Sequence, residues 1–144
     1  MISVLYRLAD RARGWRRARG ATVEQAHGRH GEDLAHRYLR RQGLKIVARN
    51  FRSRSGRGEV DLVARDGGTL VFVEVKTRAS DEFGSPERAV GREKMDEVRR
   101  AAGDYIRRSG ASWDEARFDL LNILLTEPPS IEWIKDAFCV SRTL

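Results

Sequence analysis

Cysteine is almost absent. Cys139 stands alone in 144 residues, which excludes an internal disulfide framework and suits a reducing cytoplasm. A single thiol of this kind is expected to be a small buried hydrophobe. Long apolar runs are missing too, and nothing approaches the roughly 20 residues that span a bilayer. The opening MISVLYRLAD has only a short apolar stretch, broken by Arg7, and does not read as a secretory signal. A cytoplasmic protein without integral membrane association is expected. His27, His30 and His36 have no second cluster of cysteine or histidine at structural-zinc spacing, so zinc is excluded and they read as helix-surface residues. No repeat or low-complexity segment occurs.

Lysine is scarce as well. Only four of the 28 basic residues are lysines, a ratio best explained as compositional bias rather than as selection for guanidinium chemistry. The formal charge of +7 points to a polyanionic partner. Its distribution matters more than its sum: residues 1–20 hold six arginines against Asp10, while the other 124 carry 22 basic and 20 acidic side chains. Residues 1–24 therefore read as a basic arm, either touching phosphates or solvated, and residues 25–144 as a single domain.

Within that domain a helix is expected from about Val23 to Gln42, with Leu34, Ala35, Tyr38 and Leu39 as its apolar stripe and Gly43 ending it. Leu44–Phe51 reads as the first strand. The loop that follows, RSRSGRG, has three arginines, Arg52, Arg54 and Arg57, a composition suited to gripping phosphate beside a cleft. Ser85-Pro86 is a helix-start signal, and the main helix follows with Met95, Val98, Ala102, Tyr105 and Ile106 at steps of three and four until Gly110. Arg117–Thr126 and Ile131–Lys135 are the last two strands. Asp119, flanked by Phe118, Leu120 and Leu121, is expected to be structural, and Trp113 and Trp133 to be packing residues.

The chemistry lies in GEVDLVARDGGTLVFVEVKTR, residues 58–78. Two Val-, Leu- and Phe-rich arms meet at Asp66-Gly67-Gly68, the signature of a hairpin with a two-residue turn. If Asp66 faces Thr69, then Val63 faces Phe72, Asp61 faces Glu74 and Glu59 faces Lys76. Side chains alternate along a strand, so Glu59, Asp61, Glu74 and Lys76 share one face and Val60, Leu62, Val71, Val73 and Val75 the other. Two opposed carboxylates about 5 Å apart repel by about 3 kcal/mol at an effective dielectric of about 20. A cation must offset this. Lys76 is one candidate and a hard divalent ion the other, since Mg²⁺ is held by one or two carboxylates with water and phosphate oxygens. Asp61 and Glu74 as metal ligands, with the Lys76 ammonium beside a metal-bound water, suffice for a phosphodiester-cleaving centre.

Asp61, a hairpin, then Glu74-Val75-Lys76 resembles the PD-(D/E)xK nuclease superfamily, the fold of restriction endonucleases and archaeal Holliday-junction resolvases. The same hairpin, with GEDLAHRYLRRQGLKIVARNFR before it and RFDLLNILL after it, resembles more closely the YraN family of small, largely uncharacterised bacterial proteins regarded as endonuclease-like. The likeness covers about Gly28 to Phe138. It implies an α/β fold with a restriction-endonuclease-like mixed sheet flanked by helices, an α-β-β-β-α-β core, which agrees with the element order read above.

For function the resemblance implies a Mg²⁺-dependent (or Mn²⁺-dependent) endonuclease acting on DNA in preference to RNA, structured or branched DNA in particular, and a homodimer by analogy with the resolvases. Asp61 and Glu74 would bind the metal, and Glu32, the matching acidic residue of the first helix, would complete its shell directly or through water. Lys76 would orient the attacking water. Glu59 would be an accessory group, and Arg52, Arg54, Arg57, Arg78 and Lys94 would contact nucleic acid. The alternatives are a non-catalytic nucleic-acid-binding module on the same fold, or an adaptor acting through the arginine-rich arm.

Overall fold

A computed structural model describes residues 22–80 and 90–139. Helix α1 (Val23–Arg41) opens on a reciprocal cap: Gln25 N–H donates to Thr22 Oγ1 at 3.2 Å, and Thr22 N–H to Gln25 Oε1 at 2.9 Å. Gly43, at φ +93°, turns the chain out of it. The helix takes its first two residues from the stretch read as a basic arm. The rest of that arm up to residue 21, and the Ser85-Pro86 helix start, lie outside the described residues.

Strands β1 (Lys45–Arg52), β2 (Glu59–Asp66), β3 (Thr69–Arg78), β4 (Ala116–Leu124) and β5 (Ser130–Ile134) form one sheet in that order. Every pairing is antiparallel except β3 with β4. A parallel pair needs a crossover, and helix α2 (Arg92–Ser109) supplies it, ending at Gly110 in the left-handed region. The fold is thus α/β, a mixed sheet flanked by two helices in the expected order, with β5 added at the edge.

The two helices cover opposite faces. Ala35 and Leu39 of α1 pack with Leu62, Ala64, Val71, Val73, Leu121 and Ile123. Val98, Ala101, Ala102 and Ile106 of α2 pack with Val60, Val63, Leu70, Phe72, Phe118 and Leu120. Burial on both faces explains why β3 and β4 read as continuous apolar runs rather than alternating ones. Among the described residues no helix is long and apolar enough to cross a membrane.

α1 approaches β3 closely at Gly31, where an added Cβ would fall on the Thr77 side chain. Gly31→Ala is therefore expected to cost about 1–3 kcal/mol by overpacking. Thr77→Ala, which removes two of the three crowded atoms, should recover part of that in a thermal melt. An unchanged midpoint for Gly31→Ala would mean that the helix stands off the sheet.

Asp119 is fully buried and fully engaged. It accepts from Arg117 Nε and Nη2, Trp133 Nε1 and Asp136 N–H, each at 2.9 Å, which ties β5 and the following turn to β4. Trp133 meets Tyr38 edge-on and Trp113 stacks near Phe118, both as packing residues. Cys139 corrects the sequence reading: it is exposed, because its neighbour Phe138 takes the buried position against Phe118.

Candidate metal centre

The hairpin turns at Gly67, at φ +57°, and Asp66 faces Thr69 and Val63 faces Phe72 as the turn chemistry requires. The paired register stops at Leu62 and Val73. Beyond it the Asp61 side chain replaces the ladder, with Val75 N–H donating to Asp61 Oδ2 at 2.8 Å. The expected alternation breaks at the same place: Val60 joins Val63 and Phe72 on the α2 side, while Leu62 faces α1.

The neighbouring strand is irregular at the same level. Arg49 pairs with Leu62 and Phe51 with Val60, so Asn50 stands beside Asp61, and Asn50 has a left-handed φ of +48°. Asparagine tolerates that conformation better than most residues.

Glu74 is the other half of the centre. Its side chain is 7% exposed, Oε1 lies 3.7 Å from Lys94 Nζ of α2, and Oε2 is buried with no hydrogen-bond partner among the described residues. Burial, and then the adjacent Asp61 charge, push the Glu74 carboxyl up to about 9. Burial likewise raises Asp61, against the opposing pull of Val75 N–H and Lys94. The two carboxyls interact closely enough to share a proton. Burial lowers Lys94, but Glu74, Asp61 and Glu97 outweigh it and its affinity for a proton is raised. Two buried carboxyls side by side, with no other donor at Glu74 Oε2 among the described residues, are an environment that a hard cation fits once the shared proton leaves.

The other expected residues divide. Lys76 lies two residues beyond Glu74 on β3, and its charge opposes the rise at Glu74 more weakly than that of Lys94. Lys94, expected only as a phosphate contact, ion-pairs directly with Glu74, and with Glu97 at 3.4 Å. Nothing in the sequence pattern marked it as a partner of the carboxylates, because only the packing of α2 on the sheet brings it there. Glu32 accepts from Asn50 Nδ2 at 3.1 Å and lies 3.8 Å from the Arg49 guanidinium, which ties α1 to β1 at the level of Asp61. Among the described residues no three His, Cys, Asp or Glu side chains are gathered as a ready metal cage. Two carboxylates form the core, and water or phosphate oxygens would supply the rest of a shell. Glu59 pairs with exposed Arg52 at 3.8 Å. Arg54 and Arg57 are on the β1–β2 loop, and Arg78 closes β3 opposite Leu124.

Comparison with known proteins bears on this arrangement. Residues 31–123 match the family described as Uncharacterised protein family UPF0102. A UPF0102 protein of Solibacter usitatus is 54% identical over 138 residues, covering 96% of this chain and all of that protein. The chain belongs to the UPF0102 family. A UPF0102 protein of Rhodococcus jostii is 50% identical over 115 residues, covering 78% of this chain and 96% of the relative. One from Geobacter sulfurreducens is 49% identical over 113 residues, covering 77% and 87%. The UPF0102 match runs from α1 through β4, so Glu32, Asn50, Asp61, Glu74, Lys76 and Lys94 all fall inside it.

Proposed function

We propose that this UPF0102 protein is a metal-dependent phosphodiester hydrolase acting on DNA in the cytoplasm, with structured or branched DNA as its substrate class. The observation that carries the reading is the Asp61–Glu74 pair, with its buried Glu74 Oε2 that meets no donor among the described residues. Mg²⁺ or Mn²⁺, when bound, supplies Lewis-acid activation of water and neutralises charge on the phosphate. Asp61 is held by Val75 N–H and Glu74 by its buried strand, so both ligands are set before a cation arrives. Lys76 orients the attacking water and meets the charge that develops on the scissile phosphate. Lys94 neutralises one carboxylate while no cation is bound and turns to the phosphate when one is. Glu32, bonded to Asn50, ties α1 to β1 at the level of Asp61.

The Lys94–Glu74 ion pair also favours a second reading, a non-catalytic nucleic-acid-binding module in which an ammonium permanently replaces the metal. Cleavage assays on labelled linear, forked and four-way DNA with Mg²⁺ or Mn²⁺ separate the two. The hydrolase reading expects metal-dependent cleavage that falls by about 10²–10⁴ in Lys76→Ala, with metal binding retained. No cleavage of any substrate by the wild type would overturn it and leave the binding module.

A further inference from the structure

A second charged site lies on the same face, away from the carboxylates. The β1–β2 loop is seated on α2: Ser53 N–H donates to the Gly58 carbonyl at 2.9 Å, Gly58 N–H to Ser53 Oγ at 2.9 Å, and Arg54 N–H to buried Asp104 Oδ2 at 2.9 Å. The seating is close, since a Cβ on Gly58 would come within 2.6 Å of the Ala101 nitrogen. Between this loop and the helix runs a cleft of about 370 Å³ whose charged lining is Arg54, Arg99, Arg100, Arg107 and Asp104. Its one acid is engaged, by Arg54 N–H and by Arg108 at 3.8 Å. Among the described residues neither Arg54 nor Arg107 is ion-paired, and both are exposed. The adjoining cleft nearer the carboxylates, which shares Arg100, differs: Glu59, Glu93, Asp96 and Glu97 outnumber its three arginines. Of these two clefts, the arginine cleft is the one with a surplus of positive charge.

We infer that the arginine cleft between the β1–β2 loop and α2 holds a backbone phosphate of the bound nucleic-acid strand, remote from the bond at the carboxylates. The inference rests on the nucleic-acid reading above and deepens it. Arg107 lies 13 residues along α2 from Lys94, an axial rise of about 20 Å at 1.5 Å per residue, so the cleft is separate from the carboxylates. Arginine forks suit phosphate oxygens, and a loop already bonded to the helix needs little further ordering to grip them.

The test is fluorescence anisotropy of a labelled DNA duplex with the full chain in EDTA, over a range of salt concentrations. Counterion release predicts that Arg54→Ala and Arg107→Ala each flatten the slope of log affinity against log salt by about 0.9. Arg40→Ala, an exposed arginine on the opposite helix, should leave the slope unchanged. Slopes unaltered in Arg54→Ala and Arg107→Ala while the wild type binds would overturn the cleft and leave the proposed function standing. Equal flattening by Arg40→Ala would overturn it in favour of diffuse attraction. Displacement by inorganic phosphate as effective as by unlabelled duplex at equal phosphate concentration would reassign the cleft to a small anion. Absence of binding by the wild type would overturn both readings. Binding with the expected slopes but no cleavage would retain the cleft and remove only the hydrolase.

Discussion

Asp61→Asn is expected to abolish the Mg²⁺-dependent rise in melting temperature and to lower metal-dependent cleavage by more than about 10²-fold. Losing a hydrogen-bonding neighbour of a metal ligand already costs about 10–100-fold in affinity or activity, and here the proposed ligand itself would be lost. The substitution keeps the local structure, because an asparagine carbonyl can still accept from Val75 N–H, the bond that Asp61 Oδ2 now makes at 2.8 Å. Wild-type protein at a metal concentration 100 times its dissociation constant gains about 2.7 kcal/mol, so the contrast is readily measured. Glu74→Gln should behave alike. Retention of the metal-induced shift in both variants would remove Asp61 and Glu74 as ligands. An unfolded Asp61→Asn would assign the carboxylate to the fold instead.

Stability in EDTA is expected to fall as pH rises from about 5 to about 9. Glu74 is held at about 9 in the folded chain, against an ordinary 4.5, and Asp61 is also raised. The folded state therefore binds more protons than the unfolded state across this window, and stability decreases with pH wherever that holds. The contribution is fully present below about 4.5 and is lost through about 9. A shift of this size corresponds to a loss on the order of several kcal/mol. On the proposed function Mg²⁺ would replace the shared proton, so it should flatten the fall and stabilise most at high pH. Urea melts at pH 5, 7 and 9, with and without Mg²⁺, read this directly. A midpoint in EDTA that is constant or rises over the range would show that the pair ionises freely, as exposed carboxylates do. In Glu74→Gln most of the dependence should disappear.

Local chemistry wrote much of the fold into the chain. The Gly67–Gly68 turn fixed the hairpin register, the 3.6-residue periodicity around Val98, Ala102 and Ile106 placed α2, and Gly43 and Gly110 marked the helix ends. The nearness of Asp61 to Glu74 was also legible, although the ladder pairing counted from the turn ends at Leu62 and Val73 and does not reach them or Glu59 and Lys76. Three features of the site were not. Val60 switches to the α2 face at the level where the adjacent strand carries a left-handed Asn50, and a strand pattern read alone continues its alternation. The Lys94–Glu74 contact joins residues 20 apart through the packing of α2 on the sheet. The arginine cleft joins a loop to helix residues that, along the chain, read as ordinary solvated charge.

Turns, caps and periodicity act over a few residues, and they set the order of elements, the hairpin register as far as Leu62 and Val73, and the nearness of Asp61 to Glu74. How those carboxylates are compensated follows from packing: the Val75 N–H that holds Asp61, the burial that raises Glu74, and the lysine that α2 delivers to it. Burial and long-range charge depend on what is packed alongside, and that is fixed only when the two helices close over the sheet.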